Sequence, residues 1–386
     1  MCNKPSPYRE DRDECFVVMK IFLKFAHHKI TKNVSVLCLL LQFLFYLLQL
    51  CYMIFKFNQD LVIRYSCTTA LTLYILYTTM FLYTYNYQDL QNQFQEFAWS
   101  LDSAGAEVKA TILERSTKTN RICYLIMLLL GLTVVISWPV WGDQNELFLY
   151  TQVFEYFFGK WSQIPSNIYF ATYSVVCYGS FQASFLELYI ILQLQVQIVL
   201  LNQKIMQIGN KFRRLDDWDK TYSVQYQKEI SEGLQIAIEQ HCAIKKFVKT
   251  FNKDIQIAMP VIFLLGGLCT ITTYFFILNN FFPSSGILKV RIVFVLLTNI
   301  SMSVMFAKTG QGIVDESDQI FDVFVSCPWY NWNLKNRKTL LICMANSINP
   351  LSLCFAGMTL GYKLVVNVAR FSFSYALGLF QLNNAK

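Results

Sequence analysis

The chain has 386 residues, 54% of them hydrophobic and 16% aromatic, with only 15% charged and a formal net charge of +8. No ordinary soluble domain of this length combines so much apolar and aromatic character with so little charge, so the composition specifies a polytopic membrane protein. The excess positive charge is accounted for by its placement around the spans and gives no argument for nucleic acid.

Residues 1–33 mix Lys4, Arg9, Arg12, Lys20, Lys24, Lys29 and Lys32 with Glu10, Asp11, Asp13 and Glu14, which is unlike a cleaved signal peptide, so this segment is expected to be retained. Apolar windows long enough to cross a bilayer then fall at 34–55, 65–85, 122–141, 169–199, 255–279, 287–307 and 350–382. They predict an all-α membrane protein with seven transmembrane helices. On the side away from the amino terminus, the loops and tail hold only Lys56, Arg64, Lys160, Lys289, Arg291 and Lys386. The rule that basic loops stay inside therefore puts the amino terminus in the cytoplasm and the carboxyl terminus outside.

The domain reading is a cytoplasmic segment 1–33, six helices with their extensions over 34–310, a cytoplasmic loop and helix over 311–349, and a last helix with a short tail over 350–386. Outer loops are short apart from 142–167. The inner connection 202–253 carries Ile230, Leu234, Ile238 and Ile244 at helical spacing with charges between, so spans four and five are expected to extend into the cytoplasm. Asn333 is placed to cap a helix opening with Lys335, Arg337 and Lys338, and Pro350 breaks or bends the chain where it enters the last span. That span carries Lys363, Asn367, Arg370, Ser372, Ser374 and Gln381, poor partners for lipid, which are expected to face protein or water; Arg370 is expected in the subunit core or a side portal.

The twelve cysteines fall on the inner side or in and beside the spans, which predicts reduced, buried thiols. Neither paired Cys/His spacing nor a GxSxG, Walker or HExxH signature occurs, so no metal, cofactor or enzymatic activity is expected. Glu187 is the one acid well inside a span. The outer halves of the helices instead carry aromatic and small polar residues at similar depth: Ala70, Tyr74 and Tyr77 in span two; Thr133, Ser137 and Trp138 in span three; Tyr173, Cys177 and Tyr178 in span four; Thr270 and Tyr274 in span five; Phe294 and Thr298 in span six. Core packing explains each of them singly. As a group they have the composition of an apolar cavity with a few hydroxyl partners, suited to a small, weakly polar molecule.

The last sixty residues resemble the insect odorant-receptor family. The matching features are Trp329-Tyr330, the basic helix at Arg337-Lys338-Thr339-Leu340-Leu341, Pro350, Ala356-Gly357 and Ser374-Tyr375, and the ending 374–382 resembles that of the family's co-receptor. The resemblance implies the ligand-specific subunit of an odorant-gated, non-selective cation channel, heterotetrameric with the odorant co-receptor, in the plasma membrane of the olfactory neuron dendrite. It also implies a cytoplasmic anchor formed by extensions of helices four to seven, a small volatile ligand held among spans two, three, four and six, and a pore lined by Gly378, Gln381 and Leu382. Glycine at 378, where the co-receptor has valine, favours a tuning subunit over the co-receptor itself. A gustatory receptor of the same superfamily and a seven-helix G-protein-coupled receptor are the alternatives. The latter requires an external amino terminus, opposite to the charge distribution.

Overall fold

In the computed structural model, residues 15–26, 28–85, 87–138, 148–212, 216–280, 285–355 and 357–384 are described. Residues 1–14 of the amino-terminal segment, Trp141 at the end of the third window, loop residues 142–147, Ala356 and Lys386 lie outside the described residues. The chain forms α1 (Val17–Ala26), α2 (Lys29–Phe55), α3 (Gln59–Thr84), α4 (Tyr87–Phe97), α5 (Ala106–Ile136), α6 (Tyr150–Phe158), α7 (Gln163–Met206), α8 (Asp217–Tyr222), α9 (Val224–Ile255), α10 (Ala258–Asn280), α11 (Gly286–Ser326), α12 (Leu334–Ser347) and α13 (Tyr362–Asn384).

The seven apolar windows fall on α2, α3, α5, α7, α10, α11 and α13. Five of these, α2, α5, α7, α10 and α11, are long and apolar enough to cross a membrane by length and composition. The helices α3 and α13 have the length, at 26 and 23 residues, but mix threonines, amides and charges into it. Helix starts follow local chemistry. The side chains of Asn58, Ser223, Ser285 and Asn333 each accept a hydrogen bond from a backbone N–H of the first turn, so the cap expected at Asn333 is present.

Two boundaries differ from expectation. Span five and the helix before it are separate, because Pro260 in the first turn of α10 has no N–H to give to the Gln256 carbonyl, and the chain turns at Gln256 and Ile257. The last span does not begin at Pro350. The described residues of 350–361 form a non-helical strap in which Cys354–Phe355 pairs antiparallel with Met358–Thr359, and α13 starts only at Tyr362. Gly357, at φ +75°, supplies the left-handed residue that this tight reversal needs. Cys51, Cys242 and Cys354 are exposed rather than buried.

The long α7 is apolar on all faces and runs through the middle of the bundle, packed by α1, α2, α3, α9 and α11. One continuous core joins its lower half to α9, α11 and α12 through Ile198, Leu201, Ile230, Leu234, Ile244, Ile313, Phe324 and Trp332. A buried amide knot ties α9 to the start of α12: Gln227 Nε2 donates to Asn331 O at 2.8 Å, its Oε1 accepts from Asn333 N at 2.8 Å, and Asn336 Nδ2 donates to the Gln227 carbonyl at 2.9 Å. The strap before α13 crosses α11 at Gly310, where only hydrogen on Cα leaves room for the Leu360 backbone.

Candidate ligand site and pore helix

Away from α9 and α12, the ends of α5, α7 and α11 are joined by side-chain hydroxyls. Thr133 Oγ1 donates to Leu129 O at 2.8 Å, Thr298 Oγ1 donates to Phe294 O at 2.8 Å, and the two hydroxyl oxygens lie 3.2 Å apart across the α5–α11 contact. Ser137 donates back to Thr133 O at 2.7 Å, and Trp138 Nε1 donates to Ser174 Oγ at 3.1 Å, tying α5 to α7. Arg291, 1% exposed at the start of α11, donates through Nε to the Ile136 carbonyl at 3.0 Å, a cation set against a helix carboxyl terminus.

An aromatic roof covers this end. Tyr150 of α6 stacks on Tyr169 at 4.2 Å, Tyr169 stacks on Tyr173 at 5.5 Å, and Phe148, Phe154 and Phe170 close around them edge-on. Gln42 of α2 donates to both Tyr169 O and Thr172 Oγ1 at 2.7 Å, holding α7 beneath the roof. Tyr150 is buried, and among the described residues its hydroxyl makes no hydrogen bond of ordinary geometry. Sequence reasoning missed the roof. Its signal is the aromatic run Phe148, Tyr150, Phe154, Tyr156, Phe157 and Phe158, within the long outer loop 142–167.

The thirteen residues expected around one cavity are divided by the structure. Thr133, Ser137, Trp138, Phe294 and Thr298 belong to the α5–α7–α11 junction, whereas Tyr173 and buried Cys177 pack with α2 and α3. Ala70 is buried in α3 and Tyr77 half-buried there. Tyr74 faces α10, its ring edge 3.6 Å from where a Cβ on Gly266 would stand. Tyr178 and Tyr274 are elsewhere. The Tyr178 ring packs edge-on against Phe22 of α1 at 4.9 Å, and Tyr274 packs against Phe373 of α13 at 5.8 Å. Thr270 donates to the Gly266 carbonyl of its own helix. A cavity of about 230 Å³ lies away from these residues, toward the α9 end between α1, α4, α7 and α9, lined by Phe94, Trp99, Tyr189 and Phe247, and another of about 20 Å³ lies between α5 and α7. Glu187, 9% exposed, has no Lys or Arg partner among the described residues, and no cluster of His, Cys, Asp or Glu there could hold a metal.

Helix α13 is held along one line only. Leu364, Ser372 and Ala376 are buried, and at its end Asn383 Nδ2 donates to Asn279 Oδ1 at 3.3 Å while Gln59 Nε2 donates to Asn383 Oδ1 at 3.4 Å. The rest of its surface is open. Lys363, Arg370, Ser374, Tyr375, Gln381 and Leu382 are exposed, and a Cβ on Gly378 would meet nothing within 4 Å. Arg370 is thus outside the core of its own chain.

A family model described as "7tm Odorant receptor" matches residues 60–375. The sequence has no match among curated proteins. The fold is similar to that of the insect olfactory receptor OR5 from Machilis hrabei, with TM-score 0.73 at 11% identity over 95% of this chain and 97% of the other. It is also similar to the same receptor solved in complex with eugenol, with TM-score 0.70 at 11% identity and the same coverage.

Proposed function

The chain belongs to the odorant receptor family, and we propose that it is the ligand-tuning subunit of an odorant-gated, non-selective cation channel built with co-receptor subunits in the plasma membrane of olfactory neurons. The observation that carries this reading is the one-sided burial of α13. A membrane helix that buries only Leu364, Ser372 and Ala376 while exposing Arg370, Ser374 and Gln381 needs water or neighbouring chains beside it. In the proposed assembly that face lines the ion path, with Gly378, Gln381 and Leu382 near its outer end.

The remaining segments take matching roles. Residues 1–33 lie inside, 311–349 form the assembly anchor, and the ligand sits at the outer ends of the helices within 34–310. The exposed apolar side of α12, with Leu334, Leu341, Ile342 and Ile348, suits contact with other subunits. The ligand pocket is drawn from the α5–α7–α11 junction and the roof. A small aromatic volatile fits the ring-rich lining, and one with a hydroxyl or carbonyl group would satisfy the buried Tyr150 hydroxyl. Eugenol, the ligand of the solved relative, is such an aromatic, which supports the ligand class.

Binding drives opening only through a difference in affinity between the open and closed arrangements, and a tenfold preference is worth about 1.4 kcal/mol. The 41-residue α11 offers a rigid route, since Thr298 lies at the junction and Gly310 under the strap that feeds α13. Whole-cell recording in oocytes expressing the chain with and without an insect odorant co-receptor tests the reading. Inward cation current to a volatile panel is expected only with the co-receptor. Silence in both, with the chain shown at the cell surface, rejects it.

A further inference from the structure

At the α9–α10 junction an outward-facing line changes chemistry. On α9 the exposed positions Lys246, Lys249 and Lys253 recur at intervals of three and four, so they share one helix face. Past the turn, Ile257, Leu264 and Leu268 are exposed too, Ile257 at 82% and Leu264 at 70%. Large apolar side chains so exposed at the start of a membrane-spanning helix meet acyl chains, which places the lysines just beyond them, at headgroup depth. Among the described residues none of the three lysines is paired with a carboxylate. Exposed Asp254 is one residue on from Lys253 and thus about 100° around the helix, off the lysine face. The back of α9 and one flank of the lysine face are occupied: Phe247 packs on Phe94 and Phe97, while Lys245 donates to Asn346 O and Asn252 donates to Ser352 O. The lysine face is therefore the free one, and its charges span about 10 Å along the axis.

We infer that Lys246, Lys249 and Lys253 form a docking surface for a polyphosphorylated lipid headgroup, a phosphoinositide of the inner leaflet, with its acyl chains against Ile257 and Leu264. Several phosphates on one ring match three ammonium groups on one helix face, whereas a singly charged headgroup can engage one at a time. The inference rests on the inward placement of α9 in the proposed topology.

The test uses the full-length chain purified in detergent, with dioctanoyl phosphatidylinositol 4,5-bisphosphate as probe and dioctanoyl phosphatidylserine as comparator. Each lysine near a polyanion contributes roughly fivefold in affinity. Lys249→Gln should therefore weaken probe binding about fivefold and the variant K246Q/K249Q/K253Q on the order of a hundredfold. The variant K335Q/R337Q/K338Q, which removes equal charge from α12, should leave binding unchanged. All these side chains are exposed, so the variants should elute and unfold like the parent. Equal loss in both triple variants, no loss in the first, or equal affinity for the two lipids overturns the inference. Topology is read separately. With Cys2, Cys51 and Cys354 replaced by serine, an impermeant maleimide should reach exposed Cys242, on the same side of α9, only from the cytoplasmic bath of an excised patch. Labelling from the outside would overturn the leaflet assignment and the topology, whatever the detergent result.

Discussion

Replacing Gly310 by alanine probes the contact through which α11 meets the strap of α13. The added Cβ would stand 2.5 Å from Leu360 Cγ, 2.6 Å from Leu360 O and 2.9 Å from Leu360 C. The leucine tip can rotate away, but the carbonyl belongs to the backbone, so residues around 360 must retreat by roughly 0.8 Å or more to reach ordinary contact. Overpacking of this kind costs about 1–3 kcal/mol, and the better helix propensity of alanine returns about 0.5–1 kcal/mol. A net loss of about 0.5–2 kcal/mol follows. Gly267→Ala in α10 is the control, because its Cβ would meet nothing within 4 Å and only the favourable propensity remains. In thermal unfolding of the purified chain, G310A should melt a few degrees below the parent and G267A at or above it. If the strap transmits gating, G310A should also shift the agonist concentration–response curve by up to about thirtyfold, which is 2 kcal/mol. G310A and G267A channels that match in both melting and gating would refute the close approach and the route through it.

Gln227→Leu removes the side-chain hydrogen bonds to Asn331 O and Asn333 N from the amide knot, which should cost about 2–4 kcal/mol and release assembled channel to monomer on size-exclusion chromatography. An unchanged elution profile and melting point would show the knot to be dispensable. Thr298→Val removes one hydroxyl of the α5–α11 pair at constant shape; a hydroxyl-bearing agonist should lose up to about tenfold in potency while its hydroxyl-free analogue holds. Equal shifts for both would remove Thr298 from the ligand contact. Gly378→Val should narrow the ion path, lowering unitary conductance at unchanged agonist potency, and a conductance equal to the parent's would put position 378 outside the pore. Burial, with Lys245 close by, pushes the His241 imidazole down from 6.5 to about 4, so the folded chain keeps it neutral where the unfolded chain binds a proton. Stability at the α9 end is then complete above pH 6.5 and falls by up to about 3 kcal/mol as pH drops through 4, a slope that His241→Asn should flatten. A slope that persists in His241→Asn would assign it to other groups.

Apolar length and capping are local properties, which is why the helix windows and the Asn333 cap were readable from residue order alone. The strap was not. Leu351, Leu353, Cys354, Phe355 and Met358 are as apolar as a span, and only Gly357 and Gly361 among them signalled a turn. The candidate pocket was legible in depth but not in rotation. Because α7 is apolar on every face, periodicity could not say that Tyr173 turns to the roof and Tyr178, five residues on, to α1. The roof escaped because its aromatics come from a segment too short to span and too polar at its start to read as core.

The exposed side of α13 has a physical consequence for how the chain exists in a membrane. Arg370 sits midway along that helix with no cover from its own chain, and an arginine facing lipid at such depth costs about 2.5–3.5 kcal/mol. Facing a water-filled space between subunits it keeps its hydration and costs little. On α12, in the same chain, Leu334, Leu341 and Ile342 face outward where no lipid would cover them in the proposed topology, and burying such side chains gains about 1.5–3 kcal/mol each. Both penalties are relieved together by bringing further subunits against these two helices, one side forming a dry anchor and the other a wet path. Arg370→Leu should separate the two effects. A lipid-facing position would gain stability and keep its conductance, whereas a water-facing one would gain no stability and would raise cation conductance through loss of a positive charge. A more stable channel of unchanged conductance would place Arg370 against lipid and remove α13 from the ion path.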